Sequence, residues 1–253
     1  MSTDTVRKKI VIVGATSAIA EHCARQWVEE GPAHFFLIGR DASKLESISS
    51  DLQVRSPQSH VECRTLSFSD PVAIAKIAQD IRNDGPVDFV LIAHGSLPNQ
   101  ADCQTNLSLD WESMEINALS PVMFAEAFAG HMELANRGSL GIIGSVAGDR
   151  GRKSNYVYGS AKGLVERYAQ GLQHRLARTS VRVVLIKPGP TDTPMTSHLK
   201  ATGARLASVE MVAKDIVRGM VAGKPTVYTP AKWAIIMLVL RMLPDRIFNR
   251  LDI

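Results

Sequence analysis

Cysteine is scarce in this 253-residue chain: Cys23, Cys63 and Cys103 are the only three, and they lie far apart. With no C-x-x-C pair, a disulfide scaffold and a clustered-cysteine zinc site are both excluded. The thiols read as free in a reducing compartment, and no metal is expected. Charge of one sign is also lacking. Lysine and arginine number 29 against 25 acidic residues, a net of +4, too small an excess for a nucleic-acid-binding face. No apolar run approaches the roughly 18 residues that cross a bilayer; the longest, Trp233–Leu240, is eight residues and resumes only after Arg241. Met1–Lys9 is polar and lacks the apolar core of a secretory signal. The expectation is a cytoplasmic protein. No Pro/Gly/Ser-rich linker and no fixed-period repeat interrupts the chain. What is present is 45% hydrophobic and 21% charged, the composition of a globular domain. A chain of this length can bury roughly three-quarters of its unfolded surface without staples.

Short apolar runs alternate with amphipathic stretches. Ile10–Val13, Phe35–Ile38, Val61–Leu66, Val87–Ile92, Leu140–Ile143 and Val181–Ile186 read as strands. Between and after them, Ala18–Glu30, Lys44–Val54, Asp70–Arg82, Trp111–Leu134, Tyr158–Arg178 and Val209–Val221 read as helices. Asp41 can cap the second helix, and Asp70-Pro71 pairs a capping side chain with proline at the first helical position. Parallel strands need crossover helices, and strands covered on both faces read as continuous apolar runs. The expectation is an α/β Rossmann-type doubly wound parallel sheet in one domain. Its body spans residues 1–226, with an apolar helical extension over 227–253.

Three places carry chemistry. The first strand runs into Gly14-Ala15-Thr16-Ser17-Ala18-Ile19-Ala20. Small residues there let a backbone approach a pyrophosphate, and the helix N-terminus offers free N–H groups. A tight βα turn with small packing residues reads the same way. The second strand ends Gly39-Arg40, where an acidic residue would bind ribose hydroxyls. Arg40 instead suits a 2′-phosphate, so NADP(H) is favoured and NAD(H) is the alternative. Downstream, Ser145 follows a strand, Tyr158 comes thirteen positions later and Lys162 four after that. The four-residue spacing puts phenol and ammonium on one helix face. A nearby ammonium lowers a phenol's pKa, and such a phenol can exchange a proton with a carbonyl oxygen. Ser145 can donate to the same oxygen, and Asn117 on the preceding helix can connect Lys162 to solvent. Each of these residues alone could equally be a helix-face or turn residue, and Tyr156 is the decoy two positions away.

With these residues in this order, residues 8–222 resemble the short-chain dehydrogenase/reductase family. The resemblance runs through Gly14–Ala20, Asn117, Ser145, Tyr158-Gly159-Ser160-Ala161-Lys162 and Pro188-Gly189. It implies an Asn117-Ser145-Tyr158-Lys162 tetrad with Tyr158 as proton donor. It also implies that Lys162 binds the nicotinamide ribose, and that Pro188, Gly189 and Thr191 to Thr193 line the nicotinamide side. Three features depart from the family pattern. Ala18 and Ala20 replace two glycines of the turn. Ala93-His94-Gly95 replaces Asn-Ala-Gly after the fourth strand, with His94 as a structural substitute beside the cofactor. Ser67 stands where an adenine-binding Asp is common.

The last third is similar to one branch of that family, the keto-reductase subunit of decaprenylphosphoryl-ribose 2′-epimerase. The stretch Lys187–Lys200 and the ending Tyr228–Ala231, Met237–Arg241, Pro244 and Ile247-Phe248 carry this similarity. It implies reduction of the 2-keto pentose of a polyprenyl-phosphate-linked sugar, beside a flavin-dependent oxidase partner, in a homo-oligomer. Ten of the eleven residues from Trp233 to Leu243 are apolar, and residues 224–253 hold five basic and two acidic side chains. Such a segment can lie on the inner face of an anionic membrane or be buried between subunits. His198 and Arg205 could meet a substrate phosphate or be solvated loop residues. A 3-oxoacyl thioester or small ketone is the alternative substrate, and a non-catalytic dinucleotide-binding scaffold the alternative of another class.

Overall fold

The computed structural model describes residues 7–251 apart from residue 202; most of the polar N-terminal stretch therefore lies outside the described residues. Seven parallel strands form one sheet in the order β3-β2-β1-β4-β5-β6-β7. They are β1 (Lys8–Val13), β2 (Ala33–Gly39), β3 (His60–Thr65), β4 (Phe89–Ile92), β5 (Ser139–Ile143), β6 (Arg182–Pro188) and β7 (Thr226–Thr229). Along β1, Ile10 and Ile12 enter one core while Val11 and Val13 enter the other, because successive side chains point to opposite faces. Both faces are covered, so the strand reads as unbroken apolar sequence.

Helices α1 (Ala18–Glu30), α2 (Ala42–Arg55) and α9 (Val209–Val221) cover one face through residues such as Trp27, Leu45 and Ile216. Helices α3 (Pro71–Asn83), α6 (Ser120–Ala135) and α7 (Tyr156–Arg175) cover the other through Ile74, Phe128 and Val165. The expected caps form. Asp41 accepts from the Lys44 N–H at 3.1 Å, and Asp70 accepts from Val72 and Ala73 ahead of Pro71.

Most strand and helix ends shift by one or two residues from the sequence reading, and the larger differences are these. The stretch read as one helix from Trp111 is α5 (Leu107–Met114), a π turn (Glu115–Leu119) and α6, preceded by a separate short α4 (Gln100–Thr105). Helix α7 begins at Tyr156 and ends at Arg175, not Tyr158 and Arg178. β7 is four residues set between Pro225 and Pro230 and pairs only with β6, so it has too little pattern to show in sequence. The boundary drawn at 226/227 therefore falls inside β7. A five-residue helix α8 (Ser197–Ala201) precedes α9, and the helical extension is α10 (Lys232–Met242) and α11 (Asp245–Phe248). Among the described residues, no helix is long and apolar enough to cross a membrane.

The strand order reverses between β1 and β4. Val13 lies beside Ile38 on one side and Ile92 on the other, so the loops after β1, β2 and β4 leave the sheet at one level. Ligands of open α/β sheets bind at this carboxyl-end crevice.

Candidate active site

A cleft of about 800 Å³ opens there, the size of a cofactor or substrate site. Its first end is the turn after β1. Gly14 has φ +77°, and a Cβ on it would come within 2.6 Å of the His94 backbone N. The backbone cannot yield there, so the residue must be glycine. Thr16, Ser17, Ala18 and Ile19 continue the wall. Ser17 is the N-cap of α1 and its side chain makes no capping bond, which leaves the first N–H groups of the helix without intrahelical partners. Arg40 lies at the end of β2 with its guanidinium 6.0 Å from the ring centre of Phe68, and Lys44 lines the same wall. Phe68, not Ser67, is the cleft residue after β3.

His94 and its neighbours Ala93 and Gly95 line the middle. The ring packs 4.6 Å from Phe68 and 5.6 Å from Phe124, and Nε2 bonds the Ser120 hydroxyl at 2.9 Å. Burial, then the charges of Lys162 and Arg40, push its pKa down to about 3. His94 is thus neutral at physiological pH and cannot serve there as a proton donor of the imidazolium kind.

The second end holds Ser145, Tyr158 and Lys162. Ser145 caps a 3₁₀ turn (Val146–Gly148), its hydroxyl accepting from the Ala147 N–H at 3.1 Å. Lys162 is buried and donates to the Ile143 carbonyl at 3.0 Å, and its Nζ lies 5.8 Å from the Tyr158 ring centre. Burial brings Lys162 down to about 8. The depression of the Tyr158 pKa expected from Lys162 does not occur here. Burial raises the phenol above its ordinary value, and the hydrogen bond with Ser145 offsets only part of that. At neutral pH the hydroxyl keeps its proton.

Asn117, expected to join these three in a tetrad, does not line the cleft. It sits in the π turn, fully buried, accepting from the Ser96 N–H at 2.8 Å and donating to Ser113 at 3.2 Å. A Cβ on Gly95 would approach its Oδ1 to 2.7 Å, so Asn117 braces the Gly95-Ser96 wall from behind. π turns recur at functional sites because the extra residue re-aims one side chain.

Pro188, Gly189, Thr191 and Thr193 close the floor. A Cβ on Gly189 would fall inside the Trp233 indole, which brings α10 directly beneath the cleft. Arg150 fastens the far end of α10. It donates to the Leu240 and Leu243 carbonyls at 2.5 and 2.6 Å, pairs with Asp245 at 2.8 Å, and stacks 3.7 Å from the Phe248 ring centre. One face of α10 is uncovered, with Ile235 70% and Met242 75% exposed, while Met237 on the other face is buried. His198 and Arg205 are exposed and do not line the cleft; Met195 and Leu199 do.

Sequence reasoning also missed Leu97, Arg152 and Asn155, which line the cleft from loops without a motif. Distance along the chain also hid His34, His60 and Glu62, whose ligand-type atoms lie within 4.8 Å of one another. These sit near the amino ends of β2 and β3, away from the cleft, and Glu62 is already paired with Arg64.

The sequence profile of the short chain dehydrogenase family matches residues 8–204. An uncharacterized oxidoreductase of Mycobacterium tuberculosis is 32% identical over 252 residues, covering 98% of each chain. Among solved structures, a short chain dehydrogenase from Burkholderia cenocepacia in complex with NADP superposes with TM-score 0.81 at 17% identity, covering 98% of each chain. A short-chain dehydrogenase from Sphingobium yanoikuyae in complex with NADPH gives 0.79 at 19% identity, covering 94% of this chain and 97% of the other.

Proposed function

Because this chain belongs to the short-chain dehydrogenase family, we propose that it is an NADPH-dependent reductase of a ketone with Tyr158 as the proton donor. The observation that carries this reading is one cleft with two chemically distinct ends. Arg40 and Lys44 stand at one end, and Ser145, Tyr158 and Lys162 converge at the other. The residues fit a dinucleotide. The Gly14 cradle has no room for a Cβ, the α1 N-terminus presents free donors, and two cations mark the place for a 2′-phosphate. Binding NADP and NADPH is what the two structural neighbours do, which supports the cofactor choice; NAD(H) is the alternative. A bound nicotinamide supplies the hydride. The chain's own share is to hold the carbonyl oxygen between Ser145 and Tyr158 and to deliver a proton from the Tyr158 hydroxyl. Lys162 holds the nicotinamide ribose, and Pro188, Gly189, Thr191 and Thr193 border the ring. A scaffold role would need no phenol beside a buried ammonium, and the oligomer proposed is a homo-oligomer.

Arg40 supplies a test of the cofactor. Arg40→Ser should reduce the ratio of kcat/KM for NADPH over NADH by roughly 10- to 100-fold, the worth of a lost charge-assisted contact. Steady-state rates with each cofactor read the ratio, and an unchanged ratio means that Arg40 does not select.

The exposed apolar face of α10 favours one substrate class within this reading, the 2-keto pentose of a polyprenyl-phosphate-linked sugar. A flavin-dependent oxidase would form that ketone. Ile235, Val239 and Met242 stand 70%, 54% and 75% exposed, and Lys232, Arg241, Arg246 and Arg250 accompany them. Apolar side chains with basic flanks suit an anionic lipid surface. Replacing these three apolar residues by glutamate should abolish co-sedimentation with phosphatidylglycerol vesicles. If vesicle binding is absent in the unaltered protein or survives the substitutions, the 3-oxoacyl thioester and small-ketone alternatives gain.

A further inference from the structure

Two polar side chains in the cleft make no bond that the fold requires. Arg152 and Asn155 lie on the loop that joins Ser145 to Tyr158, and both line the cleft. The Arg152 Nε and the Asn155 Oδ1 are buried and have no hydrogen-bond partner. Buried polar atoms are nearly always paired, and an orphan marks a place where something else supplies the partner. The surrounding contacts explain why neither is used by the protein. Asn155 is the N-cap residue of α7, where its amide oxygen would ordinarily accept from the first helical N–H groups. It makes no such bond. Gln100 of α4 does so instead, its Oε1 accepting from the Val157 N–H at 3.0 Å. The Asn155 side chain is thereby released from capping.

Arg152 is set apart in the same way. Its neighbour Arg150 is spent on the α10 and α11 backbone and on Asp245. The nearby carboxylate, Asp149, is taken by Lys187 and by the Tyr228 hydroxyl. Burial lowers the Arg152 pKa and Asp149 works weakly against that; a guanidinium nevertheless stays charged. Its partner is not the proposed 2′-phosphate either. That phosphate belongs to Arg40 at the end of β2, and β2 and β5 lie three strand spacings apart, about 14 Å. The pyrophosphate belongs to the α1 N-terminus after β1. What remains within reach of this loop is the substrate beside Tyr158.

We propose that Arg152 and Asn155 are the specificity-determining pair of this cleft and bind an anionic group, carboxylate or phosphate, carried by the ketone. The guanidinium fork matches either oxyanion, and the Asn155 amide can orient it or accept from an adjacent hydroxyl. This rests on the reductase reading and sharpens it. A keto sugar whose carbonyl adjoins a phosphodiester fits, a 3-oxo acid fits, and a neutral thioester or simple ketone leaves Arg152 unpaired.

The test compares matched ketones that differ in charge: acetoacetate against methyl acetoacetate, and dihydroxyacetone phosphate against dihydroxyacetone. Two readouts are taken, kcat/KM with NADPH and Kd from quenching of enzyme-bound NADPH fluorescence. In at least one pair the anion should lead by roughly 10- to 100-fold, and the pair that shows it names carboxylate or phosphate. Arg152→Gln should bring that ratio near one, Arg152→Lys should restore part of it, and Asn155→Asp should lower it by placing a second negative charge at the site. A purely structural role for Arg152 would depress both members and leave the ratio in place, which overturns the proposal, as does a ratio near one in the unaltered enzyme. If no ketone is turned over but the binding ratio holds and collapses in Arg152→Gln, the reductase reading fails and the anion site stands.

Discussion

Replacing Tyr158 by phenylalanine should slow ketone reduction by roughly 10²- to 10⁴-fold, the usual worth of a positioned general acid. NADPH affinity should stay within a few-fold. The substitution removes one oxygen and keeps the ring that fills the wall between Ser145 and Lys162. Ser145 and the cofactor cradle around Gly14 remain, so binding and orientation survive while the proton source does not. Stopped-flow absorbance of NADPH at saturating ketone reads the first quantity, and fluorescence titration reads the second. Equal losses in rate and in NADPH affinity would mean that Tyr158 holds the cofactor and nothing more.

Replacing Lys187 by methionine should have the largest effect on stability, a loss of about 3–5 kcal/mol. Lys187 lies at the end of β6 and is 2% exposed. Its ammonium pairs with Asp149 and, at 2.8 Å, with Glu166, and it reaches the Tyr228 hydroxyl at 3.3 Å. Burial works against the ammonium, but the bonds to Asp149 and Glu166 outweigh it and raise the Lys187 pKa. A raised lysine pKa gives stability that is present below the unfolded value, about 10.4, and is lost only as pH climbs through the folded one. The pair therefore holds across physiological pH. Methionine would leave two carboxylates, one fully buried, without their counter-ion. Urea unfolding at neutral pH reads the loss. Changing all three residues to apolar ones of similar size should recover most of it, since a buried ion pair is often matched by good packing. A loss under about 1 kcal/mol for the single change would show that the carboxylates find other partners. The same cluster ties the loop after Ser145 to β6 and β7, so Lys187→Met should also slow turnover.

The legible parts of this protein are those whose physics is local. The turn at Gly14, the caps at Asp41 and Asp70, and the Tyr158–Lys162 helix face are each set by residues a few positions apart. His198 and Arg205, read as possible phosphate contacts, do not line the cleft; the tetrad and cofactor residues read from sequence all do, except Asn117. That residue was displaced by a π turn, which depends on how α5 and α6 pack and leaves no periodic trace. Arg152 and Asn155 reach the cleft from a loop and Lys44 from the first turn of α2, where nothing in the spacing separates a ligand from a solvated side chain. Lys187 and Asp149 look like surface charges in sequence; 38 positions separate them, and only the sheet brings them together. The expected depression of the Tyr158 pKa failed for a similar reason. Four-residue spacing fixes the neighbour but not the burial, and burial is the larger influence.

The pH dependence of single-turnover NADPH oxidation, measured on the unaltered enzyme with a saturating ketone, tests the central claim most directly. A donor must hold its proton. Burial raises the Tyr158 pKa, and Lys162 is charged below about 8, so the competent state is complete on the acid side. The rate should be level from about pH 6 to about pH 7, halve near pH 8 and fall further above it. A rate that climbs with pH would contradict the account, because it would mark a phenolate acting as base. A rate governed by a group titrating near the usual histidine value would contradict it as well.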